Sequence, residues 1–151
     1  MPSSEKKIFV IGYGNTLRGD DGIGQIIAEK IEELKIENVE TLALHQLTPD
    51  LAADFPKYKQ IIFIDASEDI RQEEVQVFEL SPSQTPPQIE HAMTPENLLR
   101  LSKDLYSFAP PSIAVILPAR NFEFSEVLSA VTESAIKPAI NIITAKIKNI
   151  S

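Results

Sequence analysis

One stretch, residues 8–24 (Ile-Phe-Val-Ile-Gly-Tyr-Gly-Asn-Thr-Leu-Arg-Gly-Asp-Asp-Gly-Ile-Gly), constrains the fold of this 151-residue chain more than any other. All five glycines lie between Gly12 and Gly24, and none follows. Glycine is the residue of positive φ and of close backbone approach. Turns elsewhere are left to eleven prolines and to Asn, Asp and Ser. The same loop carries two adjacent carboxylates, Asp20 and Asp21, and the chemistry of the protein is expected there.

Around this loop the chain alternates strands with helices. Lys7–Tyr13 is a short β-branched and aromatic run, as in a buried parallel strand. From about Gly22 to Leu34, Ile23, Ile26, Ile27, Ile31 and Leu34 recur at helical spacing, with Asp20 or Asp21 as the expected N-cap. Val39–Leu44 reads as a second strand. Thr48 and Pro49 read as the capped start of a short helix. Lys59–Asp65 is the clearest buried strand and ends on a carboxylate, while residues 74–80 alternate like an edge strand. Residues 81–93 form a proline-bearing loop that includes His91. Thr94 and Pro95 open a helix through Leu105, and Ser112–Leu117 is a fifth strand. Residues 125–150 hold a closing helix that Pro138 is expected to break or kink. This order predicts an α/β three-layer sandwich, 1–151 as a single domain, with a twisted, mostly parallel five-stranded sheet and helices on both faces. In such sheets ligands bind beyond the carboxyl ends of the strands. Asp20, Asp21, Asp65 and His91 are all predicted at that edge.

Charge and composition narrow the partners. Fourteen basic and 22 acidic residues leave a net charge of −8, which lacks the basic footprint that a nucleic acid requires. The chain has no cysteine, so disulfides, thiolate metal sites and a Cys nucleophile are all excluded. No apolar stretch approaches a membrane span or a signal peptide, so no membrane partner and a cytoplasmic location are expected. A monomer is the default state.

The strand, Gly-x-Gly and helix order invites a nucleotide-binding reading, but the third glycine of the fingerprint would fall on Leu17. Two carboxylates also stand where a pyrophosphate would bind, and they would repel it. A Walker A loop lacks its Gly-Lys-Ser/Thr. Each candidate has a structural explanation: a helix cap for Asp20 or Asp21, a loop hydrogen bond for Asp65, an exposed loop position for His91. His45 could be a turn residue or a neighbour of the site. Taken together, two carboxylates and one imidazole form an O,O,N donor set suited to Zn, Ni or Mn, with open positions for water or substrate.

The segment Gly12-Tyr-Gly-Asn-Thr-Leu-Arg-Gly-Asp-Asp-Gly-Ile-Gly24 resembles the opening motif of the hydrogenase maturation proteases. The likeness extends to the Ile-Ile-Phe-Ile-Asp65-Ala strand end, to His91-Ala-Met-Thr-Pro-Glu-Asn-Leu-Leu, and to Asn121-Phe-Glu-Phe through Val-Leu-Ser129. It covers about residues 7–150. Enzymes of that family trim the C-terminal extension of the large subunit of [NiFe] hydrogenases. The resemblance implies that Asp21, Asp65 and His91 bind the nickel already installed in the precursor and carry the catalysis, with Asn15 and Asp20 supporting the loop. Cd or Zn is then expected to be able to take the place of nickel in vitro. The chain departs from the family after strand two, where Leu44-His-Gln-Leu-Thr-Pro49 replaces an Asp-Gly-Gly-Thr-like loop. It departs again after strand five, where Ala114-Val-Ile-Leu-Pro118 and Ser125 stand in place of glycine-bearing segments. Two rival classes remain beside the protease, a Rossmann-like nucleotide-binding module and a non-catalytic assembly factor.

Overall fold

Strands with unbroken apolar runs, such as residues 8–11 and 61–64, need cover on both faces, and the computed structural model, which describes residues 6–88 and 92–150, supplies it. The elements are β1 (Lys7–Tyr13), α1 (Ile23–Glu33), β2 (Val39–Leu44), β3 (Tyr58–Ala66), β4 (Gln76–Leu80), α2 (Pro95–Tyr106), β5 (Ser112–Leu117) and α3 (Ala130–Ile150). Short 3₁₀ turns occupy Gly19–Gly22, Pro49–Ala53 and Phe55–Lys57. The five strands lie in the order β2-β1-β3-β5-β4, all parallel except β4, which runs antiparallel to β5.

Alternate residues of each central strand feed different cores. Ile8, Val10, Ile62 and Ile64 pack with Ile23, Ile27 and Ile31 of α1 and with Ala135, Ala139, Ile143 and Ile147 of α3. Phe9, Ile11, Ile61 and Phe63 face the other way, against Leu51, Phe55, Leu98 and Leu99. The predicted sandwich is the one observed, with its edge strand where the alternation placed it.

Three local expectations need correction. Neither Asp20 nor Asp21 caps α1; Gly22 holds the N-cap position and no side chain bonds to the helix end there. Thr48 makes no capping bond to its 3₁₀ turn, whereas Thr94 Oγ1 accepts the Asn97 N–H at 3.1 Å and caps α2 as expected. The closing helix begins at Ala130 and runs unbroken through Pro138. A buried stripe at four-residue spacing, Ala135, Ala139, Ile143 and Ile147, holds both sides of the proline against one surface.

The topology places a crevice at a defined point. From β1 the chain goes through α1 to β2 on one side, then returns to β3 on the other side of β1. The switch point therefore lies between the carboxyl ends of β1 and β3, where Gly12 pairs with Ile64. Glycine is required here for closeness. A Cβ on Gly12 would land on the Gly24 carbonyl, and one on Gly24 would strike the backbone of Ile64 and Tyr13. The start of α1 thus rests directly on the two strand ends that border the crevice.

Candidate functional site

Three segments meet at this switch point. The first is the glycine loop. Gly14 has φ 141° and lies so close to the Asp21 carbonyl that no side chain fits. The Asn15 N–H donates to Asp21 Oδ2 at 2.8 Å, and Asn15 Oδ1 accepts the Leu17 N–H at 2.9 Å. Gln25, on the first turn of α1, donates to the Gly14 carbonyl at 2.7 Å. These bonds fix the position of the half-buried Asp21 carboxylate.

The second is the end of β3. Asp65 follows the last β1–β3 pair, so the register brings it level with Tyr13, whose hydroxyl donates to it. Its own Oδ1 accepts the Ala66 N–H at 2.7 Å. Burial pushes the Asp65 carboxyl up to about 7; bonds from Ala66 and Tyr13 oppose this, and the charges of Asp21 and Glu68 add to it. The Asp21 charge is therefore felt at Asp65, across the carboxyl ends of β1 and β3. Burial first, then the Asp65 and Glu96 charges, pushes the Tyr13 hydroxyl above its ordinary range and keeps it a proton donor.

The third is the start of α2, which brings Glu96 to the neighbourhood of Tyr13. His91, the third predicted ligand, lies outside the described residues. Among the described residues no group of three or more metal-ligating side chains is assembled. His45 stands exposed just beyond β2.

Asp20 plays a different part from its neighbour. It is fully buried and turned toward the segment between β5 and α3. Its Oδ2 accepts the N–H groups of Arg120 at 2.7 Å and Asn121 at 2.8 Å and the Ser129 hydroxyl at 2.6 Å, and its Oδ1 accepts the Ser129 N–H at 2.8 Å. The Ser129 hydroxyl lies 3.0 Å from Thr132 Oγ1, which donates to the Pro118 carbonyl at 2.8 Å. Burial works to raise the Asp20 carboxyl, yet the bonds from Asn121, Ser129 and Arg120 outweigh it and hold the group below its ordinary value. Asp20 is thus a clamp that ties the glycine loop to residues 118–132.

Sequence reasoning did not single out Tyr13, Glu68 or Glu96. A signal existed only for Tyr13, a hydroxyl-bearing residue at a strand end immediately before a glycine. The strand pairing that gives it Asp65 is not written locally.

A testable consequence follows from Asp65. Its folded value is raised above the ordinary aspartate value, so the native state binds the extra proton between about pH 4 and 7, and stability falls as pH rises through that window. Asp65→Asn keeps an acceptor without the charge. We expect it to melt a few degrees above the wild type at pH 8, with the gap closing toward pH 4. Thermal scans at the two pH values that show no difference in the gap would refute this.

An α/β sandwich with a crevice at its switch point defines a class of fold and not an activity. Comparison of the whole chain is more specific. It superposes on the [NiFe] hydrogenase maturation protease HycI from Thermococcus kodakarensis KOD1 with a TM-score of 0.72, at 20% identity, over 95% of this chain and 93% of that one. The hydrogenase maturating endopeptidase HybD from E. coli gives a TM-score of 0.68 at 21% identity, over 96% and 94% of the two chains. An endopeptidase from Escherichia coli known from a solution structure gives 0.73 at 22% identity, over 96% and 94%. The chain has the fold of the [NiFe] hydrogenase maturation proteases. No family model matches the sequence, and no curated protein matches it by sequence. Among the described residues no helix is long and apolar enough to cross a membrane.

Proposed function

We propose that the protein is an endopeptidase that removes the C-terminal extension of a [NiFe] hydrogenase large-subunit precursor after nickel has been inserted. The observation that carries this reading is the fold shared along its length with hydrogenase maturation endopeptidases, and it is supported by Asp65 at the carboxyl end of β3, where the Asp21 charge is felt. Asp21, Asp65 and His91 dock on the nickel of the substrate and set the scissile peptide bond beside it. Two carboxylates and an imidazole suit a borderline divalent ion and leave positions for the substrate's own ligands. The ion is part of the substrate.

Hydrolysis adds water to the peptide carbonyl, and the amide nitrogen takes up a proton as it leaves. The attacking water gives up that proton, which needs a carrier at the site. One of the two aspartates serves as that carrier, within reach of the attacking water. The bound ion assists by polarising the carbonyl. With no cysteine in the chain and no Gly-x-Ser-x-Gly elbow, nucleophilic catalysis through a thiol or an elbow serine has no residue to use.

The test is nickel dependence. Incubated with the purified protein, a nickel-loaded precursor should lose its extension by mass spectrometry, and a nickel-free precursor should stay intact. A non-catalytic assembly factor would bind the loaded precursor and leave it uncut. Saturable binding of NAD or ATP in calorimetry, without cleavage, would replace the reading with a nucleotide-binding module.

A further inference from the structure

Beside the paired carboxylates the surface carries apolar side chains that the fold does not use. Phe124 is 84% exposed, Val127 69% and Leu17 49%. They come from two segments joined into one ridge. The Ser125 N–H donates to the Leu17 carbonyl at 2.9 Å, the Gly19 N–H donates to the Ser125 carbonyl at 2.6 Å, and Arg18 pairs with Ser125 as an isolated parallel bridge. The Val127 N–H donates to Ser125 Oγ at 2.9 Å, and the Asp20 clamp holds both segments from below. The ridge is therefore ordered, and its apolar side chains point outward from a stiff support.

It is also continuous with the site. Leu17 donates its N–H to Asn15, and Asn15 donates its own to Asp21. Exposed aromatic residues on a rigid support are what anchors at interfaces are made of. Charge says what kind of chain lies there. Glu123 and Glu126 flank Phe124 and Val127, both exposed, and neither forms an ion pair among the described residues. Arg18 is turned onto Phe122, its guanidinium carbon 5.8 Å from the ring centroid and its Nε donating to the Phe122 carbonyl at 3.3 Å. The face open to a partner is thus apolar with acidic edges. A second copy of the chain is a poor match, because a contact between two such ridges would bring acidic edges together with no basic side chain between them.

We infer that this ridge of Leu17, Phe124 and Val127, edged by Glu123 and Glu126, seats the C-terminal extension of the precursor through apolar and basic side chains. The inference rests on the function proposed above. Nickel docking holds the substrate on the body side of the scissile bond, so the chain leading away from the cut is the part free to lie along the neighbouring ridge. Holding it there orders the peptide for cleavage without any ridge residue touching the reacting atoms.

The experiment uses a nickel-loaded precursor that the wild type cuts. Phe124→Ser with Val127→Ser should raise KM roughly tenfold with kcat little changed, because uniform binding is what the ridge supplies. Glu123→Lys with Glu126→Lys should raise KM most at low salt. A synthetic peptide of the released extension should inhibit the wild type competitively and the serine variant about tenfold more weakly. These positions are exposed, so melting curves should stay unchanged. Unchanged KM in both variants overturns the inference, and so does a peptide that fails to compete with the wild type, which would assign the ridge to the body of the large subunit. Association of the wild type in sedimentation that the serine variant abolishes would make the ridge a self-interface and also overturn it. Absence of cleavage by the wild type is a separate result and counts against the proposed function itself.

Discussion

Asp20→Ala is expected to be the most destabilising single substitution at the sheet edge, at about 3–5 kcal/mol in urea unfolding at neutral pH. The substitution leaves three N–H groups and one hydroxyl, from Arg120, Asn121 and Ser129, facing a cavity with no acceptor. Each buried donor without a partner costs roughly 1–3 kcal/mol, partly recovered where water can enter. Against a total stability of about 5–15 kcal/mol for a domain of this size, the variant is close to unfolding at physiological temperature. Asp20→Asn should fare little better, since its amide sets new donors against the ones already there. The sign with pH is fixed by the depressed carboxyl. The unfolded chain binds the proton first, so the Asp20 contribution is complete above the ordinary aspartate range and is lost as pH falls below it. The difference between wild type and variant should therefore shrink in acid. A loss under about 1 kcal/mol at pH 7 would show that the clamp does not hold the loops together.

The second large effect is on processing. Asp21→Asn and Asp65→Asn are each expected to lower cleavage of a nickel-loaded precursor by at least about a hundredfold, the scale seen when a ligand or proton-transfer group is removed from a site. Asn at position 21 still accepts the Asn15 N–H, and Asn at position 65 still accepts from Ala66, so the local fold has its bonds. The loss is then attributable to charge. Asp65→Asn separates this from trivial unfolding, because the same variant is expected to gain thermal stability at pH 8 while losing activity. Sites that hold like charges together in a buried position give up stability in this way. Gel analysis of precursor and product over time measures the effect. Normal trimming by both variants would remove Asp21 and Asp65 from the mechanism, and normal trimming by His91→Ala would remove the third proposed ligand.

Much of the architecture was written locally. The runs at Lys7–Tyr13 and Ser112–Leu117 are observed strands, nearly all apolar because they are covered on both faces, and Val39–Leu44 is an outer strand that keeps Glu40 and Thr41. Thr94-Pro95 starts α2 because a hydroxyl acceptor and a missing N–H both suit a helix end. The confinement of glycine to residues 12–24 marks the place where α1 lies on the backbone of β1 and β3, since any Cβ there would collide.

The two adjacent aspartates show where local reading stops. Side by side they suggest a helix cap, and they cap nothing. Asp21 turns to Asn15, six residues away, and its charge is felt at Asp65; Asp20 turns to partners 100 to 109 residues away. Tyr13 likewise gains its role only because β3, not β2 alone, lies beside β1. The sequence by itself determined the elements, the loop that must be glycine and the carboxylates at the strand ends, because those depend on sterics and on apolar periodicity within a few residues. The sheet order, the division of labour between Asp20 and Asp21 and the raised proton affinity of Asp65 were decided by the tertiary structure. They depend on burial and on charges and donors brought together from distant parts of the chain.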